Sequence, residues 1–118
     1  MFKQGQRPAL VVAPKDLPRF HALLTRAGYE VHTGARYERR GEVGAWTADL
    51  EGDRHIHVQE VLRHDRRGRP MIAVYAHTEA KAGLAHIFSA LTDGHSFAAG
   101  SRKLRRDLRT YGWSIREP

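Results

Sequence analysis

The chain has 118 residues, 41% of them apolar, no cysteine, a mean hydropathy of −0.58 and a formal net charge of +7 with a pI near 10.4. That length fits a single domain, 1–118, able to bury a real core, and the lack of cysteine excludes disulfides, thiolate metal sites and a cysteine nucleophile. No apolar run approaches the ~20 residues of a membrane span, and "ALVVA" near the start is too short for a signal peptide, so the expectation is a cytoplasmic protein with no membrane partner.

"ALVVAP" (9–14) is a short β-branched run stopped by Pro14, and it predicts a buried strand. A helix over 16–27 follows. Asp16 is placed to cap it, Pro18 suits its first turn, and Leu17, Phe20, Leu23, Leu24 and Ala27 share one face before Gly28. "YEVHTGARYE" (29–38) predicts a second strand with a bulge at Gly34, which would complete a β-α-β unit. A turn at 39–42 leads into a meander of three strands, 43–50, 54–64 and 70–79, joined by the turn "EGD" and by the basic five-residue loop "DRRGR". Two helices end the chain. One spans 81–94, with Leu84, Ile87, Phe88 and Leu91 on one side. The other lies over 97–111, capped by Ser96 or Ser101 and stopped by Gly112. The fold class is therefore α+β: a mostly antiparallel sheet of four or five strands with three helices packed mainly on one face.

The charge is uneven along this layout. Residues 1–60 carry nine Lys/Arg against eight Asp/Glu, and residues 61–118 carry eleven against five. Such asymmetry favours a polyanionic partner, above all nucleic acid, although 16 of the 20 cations being Arg also fits a plain coding bias. The last helix concentrates the excess. At 100° per residue, Arg105, Arg106 and Arg109 fall within about 60° of Arg102, while Leu104, Leu108 and Tyr111 cluster opposite and Lys103 and Asp107 occupy a flank. Four arginines on one stripe repel one another with no acid among them, and a phosphate backbone would relieve them. A solvated basic face is the bland reading. Arg66, Arg67 and Arg69 add a second basic cluster on the hairpin loop.

The second and third meander strands alternate. Ile56, Val58 and Leu62 share one face with Ile72, Val74 and Ala76, whereas His55, His57, Gln59 and Arg63 share the other with Tyr75, His77 and Glu79. The loop length sets His57 beside His77, His55 beside Glu79 and Gln59 beside Tyr75, and the "EGD" turn brings Asp49 to His55 and Thr47 to His57. This face supports three chemistries: a metal site on His55, His57 and His77; acid–base catalysis by His57 or His77 beside Glu79, as in phosphodiester cleavage; or base contact by Tyr75 and Gln59. It is equally what the solvent-exposed side of an antiparallel sheet looks like. His21, His32 and His86 are expected as partly buried packing residues, His95 in a loop, and Trp46 and Trp113 as packing anchors.

Walker, dinucleotide-binding, HExxH and nucleophile-elbow motifs are absent, and "AAGSRK" resembles a phosphate-binding loop only faintly. No cofactor is implied. The leading expectation is a small basic nucleic-acid-binding protein (DNA or RNA) contacting phosphates through Arg102, Arg105, Arg106 and Arg109, supported by Arg66, Arg67 and Arg69, without sequence specificity. The alternatives are a histidine-based phosphoester hydrolase or nuclease using His57, His77 and Glu79 on an open sheet face, and a protein-interaction module for an acidic partner. An open sheet edge or the polar face would serve a homodimer.

Overall fold

The computed structural model describes residues 7–32, 42–80 and 96–114. Strand β1 (Leu10–Val12) is followed by a 3-10 turn (Pro14–Asp16), helix α1 (Leu17–Arg26), β2 (Glu30–His32), β3 (Glu42–Leu50), β4 (Arg54–His64), β5 (Pro70–Ala80) and helix α2 (Phe97–Thr110). These are the expected elements with one qualification: among the described residues there are two α-helices, and the helix expected over 81–94, with His86 and His95, lies outside them. So does the bulge expected at Gly34. The α+β class stands, with five strands among the described residues.

All five strands form one sheet in the order β1-β5-β4-β3-β2, with every pairing antiparallel. This corrects the β-α-β unit. β1 and β2 flank α1 in sequence but occupy opposite edges of the sheet, because the long β3–β4–β5 meander fills the space between them. The meander's register is as the turn lengths dictate: His57 faces His77, His55 faces Glu79 and Gln59 faces Tyr75, while Asp49 faces His55 and Thr47 faces His57. The ladder slips once, between Glu42 and Gly44, at the start of β3.

The core lies on the helix side. Ile56, Val58, Ile72, Val74 and Ala76 meet Phe20, Leu23 and Leu24 of α1 and Leu104 and Leu108 of α2, with Trp46 and Trp113 in the same cluster. Both tryptophans are therefore packing anchors: Trp113 meets Phe20 edge-on, with ring centroids 5.3 Å apart, and the Arg19 guanidinium lies 4.5 Å above its centroid. Asp16 makes no side-chain cap to α1, since the 3-10 turn already supplies the entry. Ser96 does cap α2, accepting a hydrogen bond from the Ala99 amide at 3.1 Å. The "AAGSRK" segment thus lies within α2 from its first turn onward, with the Ala99 amide taken by Ser96.

α2 docks by a very close approach. Ser96 bridges to Thr78 of β5 through paired backbone bonds of 3.0 and 3.1 Å. One turn later Gly100 presses on the strand itself: a Cβ there would stand 2.5 Å from His77 Cα and 2.7 Å from the Ala76 carbonyl carbon. Only glycine lets the helix sit so low, and that depth buries Leu104 and Leu108 completely. Among the described residues no helix is long and apolar enough to cross a membrane.

Candidate functional site

The arginine stripe of α2 survives folding. Leu104 and Leu108 face the core, Arg102, Arg106 and Arg109 are exposed, and Arg105 is half-buried at the sheet margin. Arg102, Arg105, Arg106 and Arg109, with Thr110, line one shallow depression of about 450 Å³. Arg105 Nη1 donates to the Ala9 carbonyl at 3.2 Å, which fixes one wall of it. The only acid of α2, Asp107, is turned elsewhere. Its Oδ2 accepts from Lys103 Nζ at 2.6 Å and from the Tyr29 hydroxyl at 2.7 Å. Burial pushes the Tyr29 phenol far above its ordinary range, and its hydrogen bond to Asp107 and that carboxylate's charge push it further. Among the described residues no carboxylate pairs with Arg102, Arg105 or Arg106.

The hairpin loop is basic but more settled than expected. Asp65 Oδ1 accepts from the amides of Arg67 and Arg69, both at 2.9 Å, and Arg69 Nε donates to Oδ2 at 3.0 Å. The Arg69 amide above all, helped by the Arg67 amide and the Arg69 side chain, holds the Asp65 carboxyl below its usual range against the opposing effect of desolvation. Arg69 is thus partly neutralised, while Arg66 and Arg67 are exposed. None of the three lines the α2 depression.

No family model, curated protein or solved structure matches the chain. Its chemistry is read from its own side chains.

The histidine face departs from the expectation of an open, solvated surface. His77 and Glu79 are only 9% and 7% exposed, and Gln59 and Tyr75 are buried as well. The face carries its own small apolar cluster of Val61, Ala73 and Tyr75, and the Phe97 ring packs on His77 at 5.2 Å. Within it three imidazoles gather on one carboxylate. His55 Nε2 and His57 Nε2 lie 2.9 and 3.0 Å from Glu79 Oε1, and His77 Nε2 lies 3.6 Å from Oε2. The His55 and His57 rings meet edge-on at 4.4 Å, and His57 stacks on His77 at 5.3 Å with 11° between planes. Burial alone would raise the Glu79 pKa, but hydrogen bonds from His57, His77 and His55 outweigh it and hold this carboxyl well below the usual carboxylate range. His32 extends the polar face, with Nε2 2.6 Å from Thr47 Oγ1.

A second carboxylate was not anticipated. Glu60 has the parity of Ile56 and Val58 and points into the core, where it is fully buried. His21 Nε2 of α1 lies 2.8 Å from both of its oxygens, and Trp46 Nε1 donates to Oε1 at 2.6 Å. Gly44 makes the room: a Cβ there would stand 2.9 Å from the Glu60 carboxyl carbon. The signal in the sequence was an acid at an inward position of an otherwise apolar strand face, which demands a buried partner. His21 is accordingly more than a packing residue.

Proposed function

We propose that the protein binds nucleic acid through its phosphate backbone, with Arg102, Arg105, Arg106 and Arg109 of α2 as the primary contacts and the exposed Arg66 and Arg67, with Arg69, as a secondary one. The observation that carries this reading is the pairing pattern of α2. Four guanidinium groups line one depression, while the helix's own acid is consumed by Lys103 and Tyr29. Four cations held on a rigid helix gain most from a partner that offers regularly spaced phosphates and releases counterions on binding. Binding of this kind is largely independent of sequence, because phosphate contacts position a protein without reading bases.

The separation of the two clusters favours binding over cleavage. α2 rests on one face of the sheet through Leu104 and Leu108, with Arg102, Arg106 and Arg109 exposed and Arg105 at the sheet margin. His57, His77 and Glu79 belong to the opposite face. None of the three lines the α2 depression, although Phe97 at the start of α2 packs on the His77 ring.

The test is affinity for a mixed-sequence duplex and a single strand at two salt concentrations. Each phosphate contact adds about 0.9 to the salt slope on duplex DNA. The double variant Arg102→Ala/Arg106→Ala is expected to lower that slope by nearly 2 and to weaken all sequences alike. Absence of binding at low salt, or a slope unmoved by the double variant, overturns the proposal. Capture of an acidic protein that survives nuclease treatment would assign the same surface to a protein partner instead.

A further inference from the structure

The histidine face has a geometry that the α2 reading leaves unused. His55 and His57 are two residues apart on β4 and so project from the same side, and Glu79 faces His55 from β5. At His55 and His57 the strand β4 is paired with β3 on one side and β5 on the other, so the site is built on hydrogen-bonded sheet rather than on a loop. Their donor atoms lie within 4.8 Å of one another, with His55 Nε2 and His57 Nε2 at 2.9 and 3.0 Å from Glu79 Oε1. Ligands held at about 2.0–2.2 Å from one ion stand about 3.0 Å apart at right angles and about 3.5 Å apart at a tetrahedral angle. The two histidine–carboxylate spacings are those of atoms that share an ion, and the two imidazole nitrogens, within 4.8 Å, would turn toward it.

We propose that His55, His57 and Glu79 form a binding site for a divalent first-row transition ion of the Zn²⁺ class. Two imidazole nitrogens and one carboxylate oxygen suit such an ion, whereas Mg²⁺ and Ca²⁺ require oxygen-rich sets. Three protein ligands leave further coordination positions for water or an exogenous ligand. The His55 and His57 side chains, 19% and 23% exposed, leave an approach from solvent. His77 is a positioning residue in this arrangement. It stacks on His57 and is braced by Phe97, with Nε2 on the Oε2 side of Glu79, so it steadies both a ligand ring and the ligand carboxylate. The set differs from one of three histidines because Glu79 Oε1 reaches both His55 and His57, although the register sets His77 opposite His57. The site shares no residue with the α2 depression, and its existence is independent of whether α2 binds nucleic acid.

The experiment uses the full chain stripped with a chelator and titrated with Zn²⁺ against a chromogenic competitor, in parallel with Co²⁺ followed by visible absorption. One equivalent is expected to bind, with Co²⁺ d–d bands and with ring-proton shifts at His55 and His57 but not at His64, which is exposed at the end of β4. His57→Ala and Glu79→Gln are each expected to weaken Zn²⁺ by more than the about 10- to 100-fold that loss of an outer-shell partner costs, and His77→Phe by an amount within that range. His64→Ala is expected to change nothing. The wild-type spectra need no variant to fold. Failure to saturate at one equivalent, ring shifts confined to His64, or equal affinity in His57→Ala would overturn the site and leave a hydrogen-bonded network in which both imidazoles donate to Glu79.

Discussion

Gly100→Ala isolates the contact that seats α2. A methyl group at this position would lie 2.5 Å from His77 Cα, 2.6 Å from His77 N and 2.7 Å from the Ala76 carbonyl carbon. All three are backbone atoms of β5, an interior strand, and cannot swing aside as a side-chain tip would. Unstrained carbon contacts are about 3.5–4.0 Å, so the helix must retreat by about 1 Å. Helix propensity alone predicts the opposite sign, a gain of about 1 kcal/mol for replacing glycine by alanine. Against it stand overpacking, about 1–3 kcal/mol, and partial exposure of Leu104 and Leu108, each contributing about 1.5–3 kcal/mol when fully buried. The steric side wins, and we expect a net loss of about 2 kcal/mol. Urea denaturation followed by fluorescence of the two buried tryptophans reads this directly. With an m value of about 2 kcal/mol/M, the midpoint should fall by about 1 M at unchanged m. A midpoint equal to or above that of the parent chain would refute the argument, because propensity would then have outweighed the contact.

Three further outcomes follow from single contacts. Glu60→Ala leaves the His21 and Trp46 nitrogens without their shared acceptor and is expected to cost about 3 kcal/mol; Gly44→Ala, which crowds the same carboxylate, should be destabilising alone but much less so on the Glu60→Ala background, as a double-mutant cycle in urea would record. Because the folded-state pKa of Tyr29 is raised, its contribution to stability is complete below the unfolded value of about 10 and declines as the pH rises beyond it. Tyr29→Phe should therefore cost about 1 kcal/mol at neutral pH, and the difference between parent and variant should shrink in alkaline denaturation series above pH ~10; a difference that is constant with pH would count against the Tyr29–Asp107 bond. Asp107→Asn removes the negative charge beside the stripe, so duplex DNA should bind more tightly at low salt even as stability falls; weaker binding would speak against α2 as the contact surface.

Much of the local architecture was legible because it depends on short-range rules. Alternation along 54–64 and 70–80, with the lengths of two turns, sufficed to pair His55 with Glu79 and His57 with His77, since one extra residue would have turned every apolar side chain to the wrong face. The arginine stripe followed from helical periodicity alone. The edges of the sheet were harder. β1 is three residues long, and so short a strand carries no preference for β5 over a neighbour closer in sequence. The Glu60–His21 pair joins residues 39 positions apart, and nothing local to either names the other.

The amino-acid order by itself determined the strand register, the two-faced last helix and the side of the sheet on which the histidines stand, because each rests on backbone periods of 2 and 3.6 residues. Tertiary structure alone decided that Gln59, Tyr75, His77 and Glu79 of the polar face are buried, that Glu79 takes two imidazoles on one oxygen, and that Asp107 is bonded by Lys103 and Tyr29. Those outcomes depend on which side chains converge across distant segments. Convergence is a matter of Ångström-scale packing and desolvation, to which a one-dimensional pattern is blind.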